Sequence, residues 1–362
     1  MSTPRWVVRN AGPADRDALL RAMADILRET AGQKTTGFGP AVWEWQYAHA
    51  EPPALVVIAD DGGTVAGYYH VLLCTLRYRG RLRTAAMVQD VATLPAYRGQ
   101  GMFRALGGFA LERMRSRGVD LVYTFPNARS LPSFLRDHAY TVAGRVPVRV
   151  APLAVGRLLA ERARLGAAGR ALGALAEPLW QALRVRGTAP AAGETVTRLA
   201  RADERVEAVA REFAQAVTVG LERSARYLGW RFLEKPTGAY ELWGLERGGA
   251  LVAYLATRIA AMFSTTCLLL MDLGCRAGEE AALLRLVGAR LAAAQTAGAS
   301  LAVAMGLHPF FARLGRAGFV RVPERFNPRP FNLVCKALAA DVGADLADPV
   351  GWLITLADWD VF

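Results

Sequence analysis

Arg98, Gly99, Gln100 and Gly101 stand between two apolar stretches of different period. The run before them, Met87 to Leu94, carries β-branched residues and is stopped by Pro95, which cannot donate to a continuing ladder; this predicts a buried strand. The stretch after them places Met102, Phe103, Leu106 and Phe109 at spacings of three and four, which predicts a helix. A strand that breaks at a glycine-bearing turn and feeds directly into a helix leaves several backbone N–H groups aimed at one spot, with the positive end of the helix dipole behind them. Such a spot attracts phosphate. Neither G-x-x-x-x-G-K-[ST] nor G-x-G-x-x-G is present, so the common nucleotide motifs do not account for the turn.

The chain around this turn is long enough, at 362 residues, for two domains with cores of their own, and 53% hydrophobic residues argue against disorder. The formal net charge of +12 is carried almost wholly by arginine, since Lys34, Lys235 and Lys336 are the only lysines. No basic run is interleaved with aromatic residues, so nucleic acid is not an expected partner, whereas a basic surface suits a tri-anionic nucleotide ligand. Cys74, Cys267, Cys275 and Cys335 lack C-x-x-C spacing and lie in or beside apolar runs. They read as free thiols in a reducing compartment, with no metal site. The first residues lack the apolar core of a signal peptide, and the longest uncharged apolar run, Ile259 to Met271, is too short to span a bilayer. A cytoplasmic, soluble protein without membrane association is expected.

The frame V-A-T-L-P-A-Y-R-G-Q-G, Val91 to Gly101, resembles the pyrophosphate loop of the GCN5-related N-acetyltransferases (GNAT). That family's signature is [Q/R]-x-x-G-x-[G/A] after a strand ending V-x-P. Arg98 and Gly101 match it, while Phe103 stands where glycine or alanine is usual. The order of elements agrees over the first 150 residues or so. A strand at Trp6 to Arg9 precedes an amphipathic helix from Pro13 to Glu29; strands at Leu55 to Ala59 and Val65 to Leu73 flank a D-D-G-G turn; a third antiparallel strand falls around Leu76 to Arg83. The central strand and its helix follow, then a strand at Leu121 to Phe125, a helix at Leu131 to His138 and a closing strand at Val142 to Val150.

The second half repeats the first at an offset near 180 residues. Trp230-Arg231-Phe232 echoes Trp45-Gln46-Tyr47, Glu246 to Gly249 echoes Asp60 to Gly63, Leu251 to Tyr254 echoes Val65 to Tyr68, and Gly298 to Leu301 echoes Gly118 to Leu121. Where the first copy has its glycine turn, the second has Arg276-Ala277-Gly278-Glu279-Glu280, whose carboxylates would cap the helix and repel pyrophosphate. The expected architecture is therefore α/β with mixed (α+β) sheets: two tandem GNAT-like acyl-CoA N-acyltransferase domains joined by a helical connector. The first spans residues 1–151 and carries the acetyl-CoA loop; the connector spans 152–190; the degenerate copy spans 191–340; and an aromatic, acidic tail, 341–362, packs near the interdomain cleft.

The resemblance implies an acetyl-CoA-dependent N-acetyltransferase acting on an amine, a small molecule or other acceptor, by direct transfer through a tetrahedral intermediate. It places the pantetheine arm along Val91, Ala92 and Thr93, and the pyrophosphate on the amides of Arg98, Gly99, Gln100, Gly101, Met102 and Phe103. Asn127 stands at a common cofactor contact, or else caps the following helix. Asp90 is the candidate base, with Tyr68, Tyr69 and His70 as rivals. The family's usual proton-donating tyrosine is replaced by Leu135, which leaves Tyr123 or another group in its place, unassisted departure of the thiolate, or a domain that binds cofactor without fast turnover. The Phe362 carboxylate, Asp358 and Asp360 are candidates by analogy with multidomain acetyltransferases that bring their C-terminus into the catalytic centre. Alternatives are a Fem-type aminoacyl transferase using charged tRNA, which needs no pyrophosphate loop, and a non-catalytic CoA-sensing module.

Overall fold

A computed structural model of the chain describes residues 5–29, 39–162, 189–262, 264–327 and 330–359. They divide into two units. The first begins with β1 (Val7–Asn10) and α1 (Arg16–Glu29), whose Leu19 and Met23 are buried. A short α2 (Pro40–Trp43) runs on into a π-helical turn, Glu44–Ala48. Then come β2 (Leu55–Asp61), β3 (Thr64–Tyr78), β4 (Arg81–Thr93), α3 (Met102–Ser116), β5 (Leu121–Thr124), α4 (Leu131–His138) and β6 (Thr141–Arg145). Gly62 and Gly63 both take positive φ, 60° and 93°, the twist a two-residue hairpin demands. The stretch from Leu76 to Arg83 is not a separate strand. It is the tip of one long β3–β4 hairpin that turns at Arg79 and Gly80.

The first sheet runs β1-β2-β3-β4-β5-β15-β6, with β4 and β5 parallel and β15 contributed by Asn332–Ala337. One face is covered by α3, whose Met102, Leu106 and Ala110 pack against Tyr69, Val71 and Val88 of the sheet. Leu106 is fully buried, and truncating such a side chain to alanine costs about 2–5 kcal/mol.

The second unit contains β7 (Val148–Pro152), α5 (Val155–Arg162), β8 (Glu194–Leu199), a helix over Glu204–Ala214 and β9 (Val219–Leu221). A second π-helical turn, Gly229–Leu233, precedes β10 (Tyr240–Arg247), β11 (Ala250–Met262) and β12 (Thr265–Cys275). The helix Glu280–Thr296, β13 (Leu301–Met305), β14 (Val320–Arg321) and β16 (Trp352–Leu353), which pairs in parallel with β9, complete it. Its sheet runs β8-β10-β11-β12-β13-β7-β14. Position by position this is the order of the first sheet, so the repeat read from the sequence is a repeat of fold.

The boundaries need correction. The expected closing strand breaks at Val146-Pro147 into β6, which joins the first sheet, and β7, which pairs with β13 in the second. In exchange β15, from after the second copy, fills the sixth position of the first sheet between β5 and β6. The first unit thus ends at residue 145, not 151, and residues 330–349 belong to it, while 350–358 belong to the second. The expected tail is therefore divided. Most of the expected connector, residues 163–188, lies outside the described residues. No helix among the described residues is long and apolar enough to cross a membrane, and none of their His, Cys, Asp and Glu side chains cluster as metal ligands.

Candidate active site

β4 and β5 pair from Ala85↔Leu121 to Val88↔Thr124 and then part. The Thr124 hydroxyl donates to the Val88 carbonyl at 2.8 Å at the point of divergence. Beyond it β4 continues to Thr93, paired through Val91, Ala92 and Thr93 with Tyr69, Tyr68 and Gly67 of β3. Its other edge is left without a strand neighbour among the described residues. Backbone groups along such an edge must find partners elsewhere. A register shift opposite His70 inserts one extra residue at Gln89-Asp90. Such a bulge re-aims side chains. Val91 packs on the core under α3, and Asp90 faces the opposite side with Tyr68 and His70.

Eight residues, 94–101, join β4 to α3. Pro95–Tyr97 form a 3₁₀ turn, and Gly99 and Gly101 take φ of 77° and 74°, which favours glycine. A Cβ at either glycine would meet nothing within 4 Å, so the turn opens outward. The amides of Met102, Phe103 and Arg104 lie in the first turn of α3 and have no intrahelical acceptor. The loop's side chains serve as braces. The Arg98 guanidinium holds Glu29 of α1 through two bonds of 2.7 and 2.5 Å and donates to the Thr93 carbonyl at 3.2 Å, while its amide donates to Pro95. Tyr97 donates to Asp61 at 2.9 Å, and Gln100 accepts from the Trp6 indole at 3.1 Å. Gly67 lets α3 approach, since a Cβ there would lie 2.6 Å from Met102 Sδ. The Phe103 ring turns onto Phe134 and His138 of α4, with centroids at 5.1 and 5.2 Å. A large side chain is tolerated at this position because it leaves toward α4.

Asp90 sits in a polar cluster supplied by the first π-helical turn. Tyr47 donates to Asp90 Oδ2 at 2.7 Å and receives a bond from Gln46 at 3.0 Å; Gln46 also donates to Gln89 Oε1. Burial pushes the Asp90 carboxyl up from its ordinary value, opposed by the Tyr47 hydroxyl. Its surface is nevertheless open to solvent. His70 is fully buried. Its Nε2 accepts from the Trp43 indole at 3.0 Å, which leaves Nδ1 to carry the proton and donate to the Asp90 carbonyl at 3.1 Å. Burial lowers its pKa to about 4. His70 is a neutral strut. Burial raises Tyr68 and Tyr69, so neither is a ready base.

The other candidates fall differently. Tyr123 is buried on β5 in register with Met87, below the divergence, with its ring edge toward Phe125 at 6.1 Å. Asn127 Oδ1 accepts from the amides of Arg129 and Ser130 at 2.9 and 3.0 Å, an Asx turn that starts α4. Leu135 packs beside the first core. Asp358 is buried in the second unit, and Phe362 and Asp360 lie outside the described residues. The sequence reading missed Tyr47 and Gln46 as site residues. Their only signal was membership in the repeated aromatic triplet.

In the second unit the same frame is closed differently. Only four residues, 276–279, join β12 to its helix, with Glu279 at the cap where the first copy has Gly101. The Ala277 amide donates to Glu212 at 3.2 Å, Arg276 pairs with Glu212 at 2.5 Å, and Glu279 pairs with Arg247 at 2.6 Å. An internal carboxylate thus accepts from an amide of this turn.

A model of the acetyltransferase (GNAT) domain family matches residues 8–143. No curated protein matches the chain. Among solved structures it is similar to a GCN5-related N-acetyltransferase from Anabaena variabilis (TM-score 0.63, 11% identity, covering 92% of this chain and 72% of that one). It is similar also to a conserved protein of unknown function from Enterococcus faecalis (TM-score 0.65, 13% identity, 93% and 73%). A third likeness is to Saccharomyces cerevisiae N-myristoyltransferase with bound myristoyl-CoA and inhibitors (TM-score 0.65, 10% identity, 98% and 87%). At these identities the likeness is one of fold. With the splayed strand, the glycine turn and the family match all falling in the same segment, residues 8–143 belong to the GCN5-related N-acetyltransferase (GNAT) family, and the second unit repeats that fold.

Proposed function

We infer that this chain is an acetyl-CoA-dependent N-acetyltransferase whose acceptor is an amine. The observation that carries the reading is β4 parting from β5 after Val88 and ending in a glycine turn whose helix amides lack internal acceptors. The cradle fits a pantetheine pyrophosphate: it is open at Gly99 and Gly101, and its donors are backbone groups with a helix dipole behind them. Val91, Ala92 and Thr93 would hold the pantetheine arm through their backbone, and the turn from Arg98 to Phe103 the phosphates, with Asn127 alongside. Bound there, the thioester supplies an activated acyl group. The free edge of β4 offers an N–H to the developing oxyanion. Asp90 takes a proton from the acceptor nitrogen, its raised pKa making it a better base than an ordinary carboxylate. Leu135 stands where the family's tyrosine is usual, so the thiolate leaves unassisted or with help from Tyr123.

Titration calorimetry with acetyl-CoA and with longer acyl-CoA esters, followed by a thiol-release assay over an amine panel, tests the reading. Micromolar binding of acetyl-CoA is expected. Arg98→Glu, which sets two carboxylates against each other at Glu29 and adds negative charge to the turn, is expected to abolish it. Unchanged binding in that variant would overturn the assignment, and binding without thiol release from any amine would identify a CoA-sensing module instead.

A further inference from the structure

In both copies the fifth strand of the sheet starts beside the fourth in the same way. β4 and β5 pair from Ala85↔Leu121, and just before that pair the Asp120 amide donates to the Thr84 carbonyl at 2.8 Å. β12 and β13 pair from Cys267↔Leu301, and the Ser300 amide donates to the Thr266 carbonyl at 2.9 Å. The residues that follow the sixth strand close each corner alike. The Leu338 and Ala339 amides donate to the Asp120 carbonyl, and the Leu153 and Ala154 amides to the Ser300 carbonyl. Ser300 thus occupies the place of Asp120, and Thr265 and Thr266 those of Arg83 and Thr84.

The side chains at the two corners differ. In the first copy the Asp120 carboxylate accepts from the Thr84 amide at 3.1 Å and lies 3.6 Å from the Arg83 guanidinium, so acid, amide and cation all come from the chain itself. In the second copy a serine stands where the acid was, and a cavity of about 270 Å³ opens among Arg157, Ser264, Thr265, Thr266, Gly298 and Ser300. Among the described residues no carboxylate lines it. The cation is now Arg157 of α5, whose guanidinium donates to the Gly298 carbonyl at 2.5 Å and so covers a dipole that would repel an anion. Ser300 and Thr265 are only 1% and 7% exposed, and their hydroxyls have no hydrogen-bond partner among the described residues. The Thr266 N–H lies on the same side of its strand as the carbonyl that Ser300 caps, and it has lost the side-chain acceptor that Thr84 has. Buried polar groups are normally paired, so unpaired donors around one cavity call for an acceptor that serves them together.

We propose that this corner of the second unit is an oxyanion site that takes a phosphate group, standing where the Asp120 carboxylate stands in the first copy. Arg157 supplies the counter-charge, since a guanidinium has five N–H donors and the bond to Gly298 uses one. The Ser300 and Thr265 hydroxyls rotate to donate, and the Thr266 amide adds a fixed donor. A carboxylate offers two oxygens in one plane, whereas the tetrahedral oxygens of a phosphate suit donors that converge from two strands and a helix. A water claims about 30 Å³ in the liquid, so the cavity admits a phosphate with room for the group that it esterifies. The site is independent of the transferase reading, whose cofactor turn belongs to the first unit.

Calorimetry and phosphorus NMR with inorganic phosphate test it on the full chain, against sodium chloride at equal ionic strength and with CoA in excess to fill the glycine turn. Phosphate is expected to bind the wild type in preference to chloride. Ser300→Asp, which returns a carboxylate to the corner, and Arg157→Gln are each expected to weaken binding at least ~10-fold, a tenfold change being about 1.4 kcal/mol. Circular dichroism checks that both variants are folded, and the exposed Arg157 keeps the test open if the buried Ser300 does not accept the change. No phosphate binding by the wild type, an equal response to chloride, or binding that survives Arg157→Gln would overturn the proposal. Acetate binding more tightly than phosphate would overturn the assignment to phosphate.

Discussion

Asp90 and His70 lie on neighbouring strands, and under the proposed reading they would divide the labour of a general base between them. The carboxyl carries the titration, and the imidazole, held between Trp43 and the Asp90 carbonyl, carries the geometry. Because burial raises the Asp90 pKa, kcat/KM for an amine is expected to rise with pH through a limb above the usual carboxylate range, and Asp90→Asn should remove that limb. Tyr47→Phe removes the hydroxyl that favours the charged form, so the limb should move further up while acetyl-CoA affinity stays the same. A full pH–rate profile distinguishes this from simple loss of structure. His70 also sets an acid limit to stability. Its folded pKa of about 4 lies below the unfolded 6.5, so the unfolded chain binds the extra proton, and stability is lost as pH falls from 6.5 toward 4. For a fully buried imidazole this amounts to on the order of 3 kcal/mol, to be read as a falling Tm over that window.

At the scale of elements, the strand–turn–helix of the first copy opens outward at Gly99 and Gly101, where that of the second is braced by Glu212 and Arg247. Gly101→Val forces a β-branched residue to φ near 74°, at a cost of about 1–3 kcal/mol. The turn should then shift, and acetyl-CoA affinity should fall with little change in Tm beyond that cost. In the second unit the buried Arg223 holds Asp272 at 2.9 Å and Asp358 at 2.7 Å, and Asp358 in turn accepts from the Thr355 amide at 2.8 Å. Arg223→Met leaves two carboxylates enclosed without their cation and is expected to cost about 3–5 kcal/mol in denaturant unfolding. Adding Asp272→Asn and Asp358→Asn should recover much of it. The turn and its helix were legible in the sequence because glycine, proline and apolar spacing act locally. Asp358, by contrast, looked like a tail residue, and only its burial beside Arg223 makes it part of a structural ion cluster.

The whole molecule consists of two sheets of one order that exchange their sixth strands. A fragment of residues 1–151 contains the entire glycine turn and all of the family match, yet lacks β15. Its β5 and β6 would face each other across a missing strand, with Val122 and Tyr123 uncovered. Such a fragment is expected to show no dispersed amide spectrum and no acetyl-CoA binding, whereas the full chain shows both. The sequence by itself determined the strand that stops before Pro95, the glycine turn and the helix after it, and the different turn in the second copy, because each depends on residues within a few positions of one another. Tertiary structure alone decided that Tyr47 steadies Asp90, that His70 is neutral, and that the two halves trade strands. These depend on hydrogen bonds and ladder pairings between segments from about twenty to nearly two hundred residues apart, which no local pattern of residue types records.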